Sequence, residues 1–242
     1  MVALVTGGAR GIGRTIAKTL HKAGYTVVIN YNKSESLAKE LEKELKNNVM
    51  IVQADISKET EVNAMVDKII DKYGKIDVLI NNAAVCIDAM FHDKTVSNFK
   101  KTLDTNVVGT FIVSRVVGDI MYQNKYGKIV NLSSTNGINS YFPMCIDYDA
   151  SKAGIISLTH NLAIQFAPYV NVNAIAPGFI ATESEIDGVD EEFIRMEEEK
   201  ILLRRAGTEQ DVANLVKFLV SDEADFINNT VIRIDGGTYG SN

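Results

Sequence analysis

The chain has 242 residues, 46% of them hydrophobic, with 25 basic and 31 acidic side chains and a net charge of −6. That length suits one large α/β domain or two small ones, and the absence of a basic tract speaks against a nucleic-acid partner. No apolar run reaches membrane-spanning length, the first residues lack the basic region of a signal peptide, and the two cysteines, Cys86 and Cys145, fit neither a zinc spacing nor a disulfide framework, so a cytoplasmic protein without a metal is expected.

Short apolar runs alternate with longer amphipathic segments. Val2–Thr6 reads as a buried strand and Ile12–Ala23 as a helix. Between them lies TGGARGIG, Thr6–Gly13. Glycines at the end of a strand and the start of a helix allow a tight turn and let backbone N–H groups approach a pyrophosphate. Thr26–Asn30 is the second strand, followed by NYNK, Asn30–Lys33, and a helical pattern over Ser34–Lys46. A carboxylate at this place would select a free ribose 2′-hydroxyl; the stretch has none, and Lys33 with Arg10 favours the 2′-phosphate of NADP(H) over NAD(H), unless both are ordinary surface charges. Val49–Gln53 is the third strand, with Asp55-Ile56 and then a helix over Glu59–Lys72. Asp55 fits either an adenine contact, with Ile56 against the ring, or a turn or helix cap.

Ile76–Ile80 is the fourth strand, followed by NNAA, Asn81–Ala84, and a long helix within Phe99–Asn124. The fifth strand, Lys128–Leu132, leads to Ser133-Ser134. A helix over Tyr148–Phe166, a strand over Val170–Ile175, a helix over Glu209–Ser221 and a strand over Thr230–Ile234 complete the chain, with PGFIAT, Pro177–Thr182, after the sixth strand. The strands are continuous apolar runs, as expected where both faces are covered by helices. Repeated βα units with short loops predict a single Rossmann-type, doubly wound parallel sheet of about seven strands, with ligands bound beyond the carboxyl ends of the strands. Suitable polar groups follow six successive strands, so they would share one edge.

The stretch Asp147–Gly154, DYDASKAG, places Tyr148 and Lys152 one helical turn apart with small residues around them. A free phenol has a pKa of roughly 10, and a nearby ammonium lowers it by favouring phenolate, which suits a proton donor to a carbonyl oxygen. The small residues would leave room for another body to approach.

Together these motifs resemble the short-chain dehydrogenase/reductase family over essentially the whole chain, nearest in flavour to the bacterial 3-oxoacyl-acyl-carrier-protein reductases. The matching residues are Thr6–Gly13, Asn81–Ala83, Asn106, Ser134, Tyr148 with Lys152, Pro177-Gly178 and the closing Asp235–Gly237. The resemblance implies an oxidoreductase that transfers a hydride between NADP(H) and a carbonyl or secondary alcohol. Its catalytic set would be Asn106, Ser134, Tyr148 and Lys152, with Asn106 holding a relay water and Ser133 or Thr135 as alternatives to Ser134. The cofactor would be held by Gly7, Arg10, Gly11, Ile12, Gly13, Asn30, Tyr31, Lys33, Asp55, Ile56, Asn82, Ala83, Tyr148, Lys152, Pro177, Gly178, Ile180 and Thr182. A homotetramer or dimer is implied. The substrate would be a 3-oxoacyl thioester or a small neutral ketone, a steroid, or a sugar or polyol; a binding protein that has lost the chemistry is the alternative from another class.

Two departures bear on partners. Ala84 stands where the family usually has glycine, which crowds the cleft. The loop Phe166–Asn173 carries no basic residue, where carrier-protein reductases commonly place an arginine, although Lys125 could supply one. The substrate lid expected at about 183–205 is strongly acidic: residues 183–200 hold nine acids and two bases, which leaves the rest of the chain at +1 against the whole-chain −6. Docking of an acidic acyl carrier protein is therefore doubted.

Overall fold

A computed structural model describes residues 1–139, 141–182 and 190–238. Seven strands form one sheet: β1 (Val2–Val5), β2 (Thr26–Tyr31), β3 (Val49–Gln53), β4 (Val78–Asn81), β5 (Gly127–Leu132), β6 (Val170–Pro177) and β7 (Val231–Ile234). All pairings are parallel and the order is β3-β2-β1-β4-β5-β6-β7. The order reverses between β1 and β4, so their carboxyl ends diverge into a crevice. This is the doubly wound sheet expected from the apolar runs.

The helices are α1 (Gly11–Lys22), α2 (Glu35–Leu45), α3 (Glu59–Tyr73), α4 (Val96–Leu103), α5 (Thr110–Gln123), α6 (Ile146–Gln165), α7 (Glu191–Glu199) and α8 (Glu209–Leu219). Alternate residues of β1 to β6 enter two separate cores. Ala3, Val5, Val27 and Ile29 pack with α1, α2 and α8 on one face. Leu4, Val28, Leu79 and Ile129 pack with α3, α5 and α6 on the other. That two-sided cover explains why the strands show no polar alternation.

The long helix anticipated within Phe99–Asn124 is not uniform. Asp104–Gly109 is a π-helical segment joining α4 to α5. Gly109 lies within it, where a Cβ would meet Ile56 at 2.8 Å. No helix among the described residues is long and apolar enough to cross a membrane. Of the acidic lid, 183–189 lies outside the described residues; α7 follows, with none of its residues buried.

Candidate active site

The glycine turn at the end of β1 is fixed by sterics. Gly7 has φ +61°, and a Cβ there would lie 2.9 Å from the Ala83 Cα; at Gly13 it would lie 2.5 Å from Asn82 Nδ2 and 2.6 Å from the Gly7 carbonyl. Asn82 locks the turn to the loop after β4, donating to the carbonyls of Thr6 (3.0 Å) and Gly7 (3.2 Å). The Thr6 hydroxyl accepts from the backbone N–H groups of Asn82 and Ala83. Asn30 is buried and braces the turn from the other side: its Oδ1 accepts from Gly7 N, and its Nδ2 donates to the Ala54 carbonyl at 3.1 Å.

What the turn leaves open is the start of α1. Its N-cap residue, Arg10, makes no side-chain cap, and the first turn, which holds Ile12, contains no acidic residue. A Cβ on Gly11 would meet nothing nearer than 3.9 Å. An uncapped helix N-terminus with a cleared approach is a ready anion site. Arg10 and Lys33 are exposed. Neither joins any of the ion pairs among the described residues, whereas neighbouring Arg14 is held by Glu40 and Glu44. These features fit the pyrophosphate and 2′-phosphate of a dinucleotide. Tyr31, at the end of β2, is buried.

Asp55 is committed locally. Its Oδ1 accepts from the backbone (3.0 Å) and hydroxyl (2.7 Å) of Ser57. Partial burial opposes its ionisation, but the bonds from Ser57 and Asn32 outweigh that and hold the carboxyl below its ordinary value. Ile56 is buried in the core against Gly109. On the far side, Gly178 donates its N–H to the Ile234 carbonyl at 3.0 Å. Ile180 and Thr182 are buried beyond Pro177, the last residue of β6.

The Tyr148/Lys152 pair lies on α6 as the spacing requires. Lys152 is buried; its Nζ donates to the Leu132 carbonyl at 2.7 Å and sits 5.2 Å from the Tyr148 ring centroid. Burial lowers its pKa to about 8, so the ammonium is the main form at neutral pH, directly behind the phenol. Ser133 is excluded from the cleft: its hydroxyl donates to the Lys152 carbonyl at 2.8 Å. Ser134 is only part-buried and caps the short turn Thr135–Gly137, accepting from Asn136 N at 3.2 Å. Thr135 is buried.

Asn106 lies in the π segment. Its side chain accepts from Val85 N (2.8 Å) and donates to the Val85 carbonyl (2.9 Å) and Ser151 Oγ (3.0 Å). It thus joins the loop after β4 to α6, and its carbonyl accepts from the Thr110 hydroxyl at 2.7 Å. The small residues around the pair serve this packing too. Ser151 meets Asn106, and a Cβ on Gly154 would touch Val107 at 3.2 Å.

Sequence reasoning missed two supports. Asn81, Asn131 and Thr159 form a buried chain, with Asn81 Nδ2 donating to Asn131 Oδ1 (2.8 Å) and Asn131 Nδ2 to Thr159 Oγ1 (2.9 Å), which pins α6 to the sheet. Asp147, next to Tyr148, is fully buried between Lys94 Nζ (2.7 Å) and Thr102 Oγ1 (2.7 Å). For the first, the signal was a polar residue inside an apolar stretch, Asn131 within KIVNL; Asp147, in the polar stretch DYDASK, carried no such signal.

A family model described as enoyl-(acyl carrier protein) reductase matches residues 7–239. Glucose 1-dehydrogenase 2 of Bacillus subtilis is 35% identical over 241 residues, covering 97% of this chain and 93% of the relative. The chain belongs to the short-chain dehydrogenase/reductase family. A 3-oxoacyl-[acyl-carrier-protein] reductase of Staphylococcus aureus is 36% identical over 241 residues, covering 98% of this chain and 97% of its own. The crystal structure of a short chain dehydrogenase from Bacillus anthracis superposes with a TM-score of 0.90 at 32% identity, covering 97% of this chain and 95% of that one. Members of the short-chain dehydrogenase/reductase family are oxidoreductases acting on CH–OH and carbonyl groups with a nicotinamide cofactor. The names of these relatives span a sugar and an acyl thioester, so similarity alone selects no substrate.

Proposed function

We propose that this enzyme interconverts a small or neutral carbonyl compound and its secondary alcohol with NADP(H). The carrying observation is the buried Lys152 ammonium 5.2 Å from the Tyr148 ring, on the sheet edge that also bears the open N-terminus of α1. The nicotinamide, when bound, supplies or accepts the hydride. Tyr148 holds the proton that passes to the carbonyl oxygen in reduction, and Lys152 stabilises its phenolate. Ser134 Oγ donates to the same oxygen as charge develops on it. Asn106 keeps the loop after β4 and α6 in register. Arg10 and Lys33 take the 2′-phosphate, and the α1 N-terminus takes the pyrophosphate.

The substrate class follows from charge. Within the described part of the lid, Asp190, Glu191, Glu192 and Glu199 are exposed. Near the loop that lacks an arginine, Lys125 lies over the Tyr169 ring with its Nζ 5.9 Å from the centroid, while Lys128, which donates to Asn171 Oδ1 at 3.1 Å, is buried. An acidic carrier protein would meet this lid within roughly the ten-ångström reach of charge at moderate salt. A sugar or polyol, as in the Bacillus subtilis relative, is the second reading, since it is small and uncharged.

The test is a panel of ketones, sugars and 3-oxoacyl thioesters assayed with both cofactors. NADPH should bind more tightly than NADH, and Tyr31→Asp should reverse the order by repelling the 2′-phosphate. A 3-oxoacyl group on a short neutral thiol should be turned over at least as well as on carrier protein. Tighter NADH binding by the unmutated chain would refute the NADP(H) assignment. A carrier preference of about a hundredfold that weakens with salt would refute the substrate assignment.

A further inference from the structure

The only two cysteines of the chain meet in the fold. Cys86 stands in the loop after β4, and Cys145 is the N-cap residue of α6. Their sulfurs lie 3.1 Å apart. Asp88 Oδ1 lies 3.1 Å from Cys86 Sγ and 3.0 Å from Cys145 Sγ. Three potential ligand atoms thus form a nearly equilateral triangle. We propose that Cys86, Asp88 and Cys145 bind a soft divalent cation of the zinc type, with a solvent molecule in the fourth position.

The geometry is close to what such an ion requires. Tetrahedral coordination with bonds of about 2.3 Å to sulfur and 2.0 Å to oxygen separates two sulfurs by about 3.8 Å and sulfur from oxygen by about 3.5 Å. The triangle must therefore open by roughly half an ångström on each side. Cys86 and Asp88 stand in irregular chain between β4 and α4, where such a movement breaks no helix or strand. The two segments are already joined: Ala89 N donates to the Met144 carbonyl at 3.2 Å. Cys145 occupies the positive end of α6, which favours an anionic ligand there. Cys86 and Asp88 are exposed and give the ion its entry path. In the resting state the cluster is held by S–H···O and S–H···S contacts, which are weak. Binding exchanges them for metal bonds: two thiols and one carboxylate take up one divalent ion and release two protons, and the occupied site carries one negative charge. A disulfide would use the two sulfurs and leave Asp88 without a role.

The site adjoins the reaction centre, and Cys86 lies within electrostatic reach of Lys152. Cys145 precedes Tyr148 by three residues, and Val85, beside Cys86, is held on both sides by Asn106. An ion here would fasten the loop after β4 to the helix bearing Tyr148.

The full chain, kept reduced with a phosphine and free of chelators, is titrated with Cd2+ while the thiolate-to-cadmium charge-transfer band is followed in the ultraviolet. The band should saturate at one equivalent, Zn2+ in excess should displace the bound Cd2+, and two protons should be released per ion. Cys86→Ser and Cys145→Ser should each abolish stoichiometric uptake. Asp88→Asn should weaken uptake by no less than the roughly ten- to hundredfold typical of a group that merely supports a ligand. Absence of the band in the unmutated chain at one equivalent would overturn the proposal, and that result needs no variant to fold. Uptake retained in Cys145→Ser would reduce it to adventitious binding at an exposed thiol. Thiols that stay disulfide-bonded in reductant and take up no ion would overturn it equally.

Discussion

Gly137→Ala should damage both stability and catalysis, and the contacts set the size. Gly137 ends the short turn capped by Ser134 and rests on the backbone of α6. A Cβ there would lie 2.5 Å from the Lys152 carbonyl carbon, 2.7 Å from its oxygen and 2.8 Å from Ala153 N, where ordinary contact begins at 3.4 Å. All three atoms are main chain of a buried helix turn, so no side chain can swing aside. Its φ is not among the positive values, so alanine brings no backbone strain and the effect is steric alone. The turn and α6 must separate by about 0.9 Å, the kind of overpacking that costs roughly 1–3 kcal/mol. For a chain of this size that corresponds to a Tm about 2–12 °C lower. The same displacement moves Ser134 relative to Lys152, and a misplacement of about 1 Å lowers kcat/KM about a hundredfold. Thermal melts and steady-state kinetics on the best panel substrate measure both. Gly154→Ala is the control: its Cβ would meet only Val107 methyls, the nearer at 3.2 Å, and replacing glycine within a helix contributes about 0.5–1 kcal/mol of stability. If Gly137→Ala melts with the unmutated chain and keeps kcat/KM within threefold, the packing of the Ser134 turn on α6 is not what positions the site.

Tyr148→Phe should lower kcat by about 10²–10⁴-fold, since it removes only the acid and keeps the ring, and leave NADPH binding nearly intact; more than a tenth of the original kcat would show that Tyr148 is not the proton donor. Lys152 has its pKa lowered by burial from 10.5 to about 8, so between those values the unfolded chain holds more protons and the penalty of burying this ammonium fades as pH rises. Unfolding free energies of the unmutated chain and Lys152→Met, compared below pH 8 and near pH 10, should shift in favour of the unmutated chain by up to about 3 kcal/mol; a pH-independent difference would place the lysine in solvent. The enzyme should run as a homotetramer or dimer in light scattering at micromolar concentration, because Val108 (42%) in the π segment, Phe111 (42%) on α5 and Ile164 (67%) on α6 are exposed; a monomer would count against those faces as interfaces.

Local periodicity and glycine placement were sufficient for the sheet, the glycine turn and the Tyr148/Lys152 spacing. Each depends on residues a few positions apart: β3 and α3 start where the apolar pattern starts, and a helix sets Lys152 beside Tyr148 whatever it packs against. The bond from the Ser133 hydroxyl to the Lys152 carbonyl was not legible, because it is a contact across 19 residues. The π segment around Asn106 left no trace either: its sequence has ordinary helical character, and the extra residue per turn is absorbed where Ile56 and Ser151 press on it from other elements. The same holds for Asp147 with Lys94, 53 residues away, and for Cys86 with Cys145, 59 residues away. No spacing rule connects such pairs, since a parallel sheet brings together strand ends separated by whole helices. Only the folded chain decides which polar groups share one low-dielectric space, and that is where a lysine's pKa falls and two distant thiols come to face one carboxylate.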